Sequence, residues 1–157
     1  MRKKTKSNKI WIDRDIYQSE AFCELVKRSK FGVPVLIWFF HSRQFGSKSG
    51  AKFGRQSDLP IINNGKIEFT YKTAKKRLGI SKPTFSKILS DLVELGFIDQ
   101  TTLGGGYARE CNLFAISERW RNYGKPNFKN VKREKSEHSR MNSGLEQVKR
   151  KRENKKK

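Results

Sequence analysis

The chain has 157 residues, enough for one domain with extensions. It carries 36 Lys and Arg against 15 Asp and Glu, a formal charge of +21, with a hydrophobic content of 34%. A charge that large resists compaction and suits a polyanionic partner, nucleic acid first and an acidic membrane surface second; so low an apolar content excludes a core running the length of the chain.

Residues 1–9 form a basic polar arm, free to lie along a phosphate backbone or to stay solvated. Residues 10–12 are bulky and apolar. Ser19 reads as the N-cap of a helix through Ser29, with Phe22, Leu25 and Val26 at helical spacing and Lys27, Arg28 and Lys30 at its end, where cations suit the dipole. Gly32 breaks it, and Pro34 fits the first turn of a second helix over residues 33–45. The run 33–40 is apolar on every side, which predicts the buried centre of the domain. A strand is the competing reading, and Trp38, Phe39 and Phe40 have a second use as a homodimer surface on the 33–40 helix. That run is too short to cross a bilayer, and no apolar h-region follows the first basic residues. The expectation is a soluble, cytoplasmic, nucleoid-associated protein with no membrane contact.

Residues 46–58 are rich in glycine and serine and carry Lys48, Lys52 and Arg55, a basic loop suited to phosphates, although without the GxxxxGK[ST] of a P-loop. Residues 59–69 read as a β-hairpin turning at Asn63-Asn64-Gly65, whose second arm can pair with the strands that follow the helices to close a small sheet.

Residues 70–95 predict two helices joined by a tight turn. Thr70 caps the first, on which Tyr71, Ala74 and Leu78 share a face, and Gly79 supplies the left-handed residue that ends it. Ser81 caps the second and Pro83 lies in its first turn; Phe85, Ile88, Leu89 and Leu92 form its apolar stripe, extended by Leu95 and stopped by Gly96. Opposite the stripe lie Ser86, Lys87, Ser90 and Glu94, with Lys82 and Thr84 at the flank. Small and basic side chains at a helix N-terminus suit a helix seated in a DNA groove; the plainer reading is a solvated face.

Residues 97–102 read as a strand, Gly104-Gly105-Gly106 as a turn and 107–116 as the returning strand. With L-G-I-S-K-P-T-F-S-K-I-L-S-D-L-V-E-L-G-F-I and the tip G-G-G-Y-A-R in hand, residues 67–120 resemble the winged helix-turn-helix domains of bacterial, phage and plasmid DNA-binding proteins, among them transcriptional regulators and replication initiators. Ala74 stands five residues before Gly79, where many such motifs place an alanine four before; Lys75 holds that slot. The resemblance implies an α+β, mostly helical fold: N-terminal helices, helix-turn-helix (70–95), wing (97–116), a small antiparallel sheet, and a domain spanning 10–128. It implies double-stranded DNA as partner. The candidate contacts are Ser81, Lys82, Thr84, Ser86, Lys87 and Ser90 on the second helix, Lys72, Lys75, Lys76 and Arg77 on or near the first, and Tyr107 and Arg109 on the wing. The alternative is an RNA-binding or protein-assembly module using the same basic surface and aromatic helix.

Residues 117–123 read as a short capped helix docking Trp120 and Tyr123, with Arg119 and Arg121 facing elsewhere, and the fold is expected to end near Phe128. Residues 129–157 hold isolated apolar residues among blocks of like charge, the composition of a disordered basic tail. Cys23 and Cys111 fall on apolar faces and read as small core residues; with His41 and His138 as the only histidines, a metal site has little support. Asp91 and Glu94, three apart, either tune base tolerance or solvate the helix. No catalytic set is apparent, so the reading is of a protein with no enzymatic activity, cofactor, metal or small-molecule ligand.

Overall fold

The computed structural model describes residues 12–46, 60–104 and 111–135. Three helices come first: α1 (Arg14–Tyr17), α2 (Glu20–Arg28) and α3 (Gly32–His41). After them come β1 (Ile67–Glu68), α4 (Tyr71–Leu78), α5 (Lys82–Glu94), β2 (Ile98–Thr102), β3 (Leu113–Ile116) and a 3-10 turn, Arg119–Asn122. The class is α+β, with an antiparallel three-stranded sheet in the order β1-β3-β2.

Helix α3 settles the helix-or-strand alternative for its segment, and it ends at His41 rather than running to residue 45. Past it, Arg43 turns back to donate from Nε to the Phe40 carbonyl at 2.9 Å, and Phe45 leaves to form an isolated bridge with Ile61. Val35, Leu36 and Phe39 are fully buried and Phe40 nearly so. The Trp38 ring stacks on Phe69 at 3.8 Å. Phe39 and Phe40 therefore do not form an exposed dimer surface; this face of α3 is spent within its own chain, leaving Val33, Pro34 and Ile37 half-buried.

An aromatic chain ties the elements together. Phe39 meets Phe114 of β3 edge-on at 5.5 Å, and Phe69 meets Phe85 of α5 at 4.8 Å. Each such ring contributes about 1.5–3 kcal/mol by burial, so α5 is clamped on its stripe side by α3 and the sheet. Phe85, Ile88, Leu89, Leu92 and Leu95 are all at most 1% exposed.

Several expectations are corrected. Val26 is 52% exposed, because the apolar side that α2 buries is Ala21, Phe22 and Leu25. Cys23 and Cys111 are both exposed rather than in the core. Residues 60–69 do not make a hairpin: the turn exists and its second arm joins the wing strands as expected, Ile67 pairing with Phe114, but the first arm leaves it, Ile61 pairing with Phe45. The asparagines cause the parting. Asn63 accepts from Gln44 N–H at 2.8 Å and donates to the Ser42 carbonyl at 2.9 Å. Asn64 accepts from Ile116 N–H at 2.7 Å, lengthening the β1–β3 ladder by a side chain. The fold also continues beyond Phe128, through Val131, which packs on the core, to residue 135. A tail disordered from 129 is thus overturned for 129–135; residues 136–157, the arm 1–9, most of the 46–58 loop and the wing tip 105–110 lie outside the described residues.

Candidate nucleic-acid interface

The helix pair α4–α5 is built by its caps. Thr70 Oγ1 accepts from Thr73 N–H at 3.1 Å, and Ser81 Oγ accepts from Thr84 N–H at 3.4 Å. Gly79, at φ 66°, closes α4 in the left-handed region that a side chain resists. Ala74 is fully buried and Lys75 exposed, so the alanine one position early is the one that α4 packs through.

Packing α5 by its stripe leaves its other side outward. Lys82, Pro83, Thr84 and Lys87 are exposed there, and Lys72, Lys75, Lys76 and Arg77 are exposed on α4. Between residues 70 and 90 stand six lysines and arginines and no acidic residue. The structure thus brings together eight of the ten predicted contacts on the helix pair as free surface. The Lys82 ammonium lies 5.5 Å from the centre of the Tyr71 ring. Ser81 and Thr84 keep their hydroxyls exposed while sharing a 2.8 Å hydrogen bond.

Two predicted contacts are otherwise engaged. Ser90 is half-buried and donates to the Ser86 carbonyl one turn back at 3.2 Å. Ser86 receives Arg133: the guanidinium donates to its carbonyl at 2.9 Å and its Oγ at 3.2 Å. Another Arg133 nitrogen reaches the Tyr71 hydroxyl at 3.4 Å. Burial pushes the half-buried Tyr71 phenol up, but the hydrogen bonds from Arg133 and Ser86 and the charges of Arg133 and Lys82 outweigh it, leaving its pKa below the ordinary value. Tyr107 and Arg109 lie outside the described residues.

Asp91 and Glu94 do not face a partner of α5. Arg28 of α2 sits 3.6 Å from Asp91 Oδ1 and 3.3 Å from Glu94 Oε2, and it holds Glu24 of its own helix at 3.0 Å. Burial lifts the Asp91 carboxyl above its usual range despite Arg28 and Lys87, and its Oδ2 has no hydrogen-bond partner among the described residues. The acids at the end of α5 are thus turned toward Arg28 of α2, away from the basic N-terminal half of the helix.

Arg119 is likewise structural rather than facing away. Its Nε donates to Asp99 at 2.9 Å, and its other nitrogens reach the carbonyls of Val93 at 2.8 Å and Lys129 at 2.9 Å, joining α5, β2 and the C-terminal segment. Neither Arg119 nor Arg133 announces such a role by local spacing; only the alternation of Val131 and Arg133 with Lys132 hints at an extended segment with one side inward.

Among the described residues no group of three or more His, Cys, Asp or Glu is placed to hold a metal ion, and no helix is long and apolar enough to cross a membrane. Comparison with protein-family models, curated proteins and solved structures gives no match.

Proposed function

We propose that the chain is a sequence-specific double-stranded DNA-binding protein of winged helix-turn-helix type, with α5 entering the major groove and the β2–β3 hairpin alongside as the wing. It would serve as a transcriptional regulator or a replication protein of a mobile element. The observation that carries the reading is the two-sidedness of α5: a leucine-rich side wholly buried, and an N-terminal outer side of lysines and hydroxyls in a stretch free of acids. A helix N-terminus favours phosphate, lysine reaches guanine or phosphate, and hydroxyls serve base edges. Lys82, Lys87, Ser81 and Thr84 are the contacts on α5; Lys72, Lys75, Lys76 and Arg77 supply backbone charge from α4. Binding through these residues is phosphate-dominated, so log Kd rises with log salt by about 0.9 per phosphate neutralised.

A gel shift comparing duplex DNA, structured RNA and single strands tests the reading. Duplex DNA retained above roughly 0.15 M salt, against the screening of non-specific contacts, supports it. Preference for structured RNA, or equal weak binding to all three, overturns it in favour of an RNA-binding or assembly role.

A further inference from the structure

The segment after the 3-10 turn is held on three points. Arg119 takes the Lys129 carbonyl, Val131 packs on the core, and Arg133 reaches over Ser86 and Tyr71. Val131 and Arg133 are half-buried while Asn130, Lys132 and Glu134 are exposed, the alternation of an extended chain with one side against the protein. It runs along the flank of α5 that carries Val93 and Ser86. Between it and β2 lies a groove of about 440 Å³ lined by residues that include Val93, Gln100, Leu103 and Val131. Lys129, Lys132 and Lys135 are exposed, against one exposed carboxylate, Glu134.

We propose that residues 129–135 are a cationic strap forming a third element of the DNA-binding surface beside α5 and the β2–β3 hairpin, and that Arg133 is the positioning residue that keeps the exposed Lys132 and Lys135, on either side of it in the chain, within reach of phosphate. The inference rests on the DNA-binding reading of α5. Arginine suits the task, since its planar fork serves several acceptors at once and stays charged; here its two terminal nitrogens donate to Ser86 and Tyr71, while the neighbouring lysines stay exposed. A free tail would bring the same charge at the full entropic cost of ordering; a strap already pinned at Lys129 and Arg133 has met much of that cost in folding.

The test uses the full chain and one duplex, with affinity followed by fluorescence anisotropy across a salt series and folding checked by thermal melting. Lys132→Ala/Lys135→Ala removes two exposed cations and should weaken binding several-fold at moderate salt and flatten the log–log salt slope by about 1–2. Arg133→Met should flatten it similarly, and the combined variant should lose little more than Arg133→Met alone, because the lysines no longer have a fixed place. Wild-type binding with an unchanged slope in Lys132→Ala/Lys135→Ala overturns the strap and leaves the DNA-binding reading standing. Tighter binding by a folded Arg133→Met overturns it too, by showing that the segment covers α5. Should Arg133→Met fail to fold, the exposed lysine pair decides alone. A wild type that binds no duplex removes both the strap and the reading beneath it.

Discussion

Gly96 ends α5 at φ 82°, and a Cβ on it would lie 2.7 Å from the Trp120 backbone nitrogen. Both the left-handed backbone and the close approach exclude a side chain. Gly96→Ala should therefore cost about 2–4 kcal/mol, measured by urea unfolding, from the summed strain of such a residue and an overpacked contact. The Arg133–Tyr71 contact has a pH signature of its own. Because the folded phenol titrates below its ordinary value, the folded chain binds fewer protons there than the unfolded one. The resulting stability is fully present only above the unfolded tyrosine value and is lost as pH falls through the shifted one. Arg133→Met should move that titration upward, read at the ultraviolet absorbance of tyrosinate with Tyr71→Phe as the blank; an unmoved titration would mean that the contact does not form in solution. At this scale the sequence reveals caps and stripes well: Thr70, Ser81 and Gly79 act as their chemistry dictates. It hides partners distant along the chain. Asp91 and Ser86 look like outward polar residues until Arg28 and Arg133, each more than forty positions away, arrive over them.

At the scale of elements, legibility follows periodicity. Helices α4 and α5 are readable because buried side, cap and terminal glycine agree locally. The end of α3 is not readable, because Phe45 is drawn off by a distant bridge to Ile61. The turn at Asn63-Asn64-Gly65 is readable as a turn and misleading as a hairpin, since the asparagine side chains tie it to Gln44 on one side and Ile116 on the other, beside the segments its two arms pair with. Two predictions belong here. Ser81→Ala removes the α5 cap seen at Thr84 N–H and should cost about 1 kcal/mol of stability, measured by thermal melting. Its effect on DNA binding should be larger than that of a buried cap, since the same hydroxyl is exposed on the proposed groove side. Asp91→Ala leaves Arg28 with Glu24 and Glu94 and should loosen the α2–α5 contact with little effect on DNA affinity; a large loss of affinity would return Asp91 to the contact surface.

For the whole molecule the charge of +21 is shared among the α4–α5 face, the 129–135 strap and the two lysine-rich ends of the chain. Truncation after Lys135 should weaken binding to all duplexes alike, by loss of diffuse charge. Truncation after Phe128 removes the strap as well, frees Ser86, and should also change preference among sequences; competition of one duplex against another separates the two outcomes. The most direct test of α5 as the reading helix is selection of bound duplexes from a random pool, followed by the affinity ratio of a selected to a scrambled duplex for the wild type and for Lys87→Ala. Lys87 is exposed and, among the described residues, makes no hydrogen bond or salt bridge, acting within the fold only through its charge on Asp91, so the account predicts a folded variant whose preference falls by about 1–3 kcal/mol, roughly 5- to 150-fold. An unchanged ratio in a protein that still binds the selected duplex would contradict it.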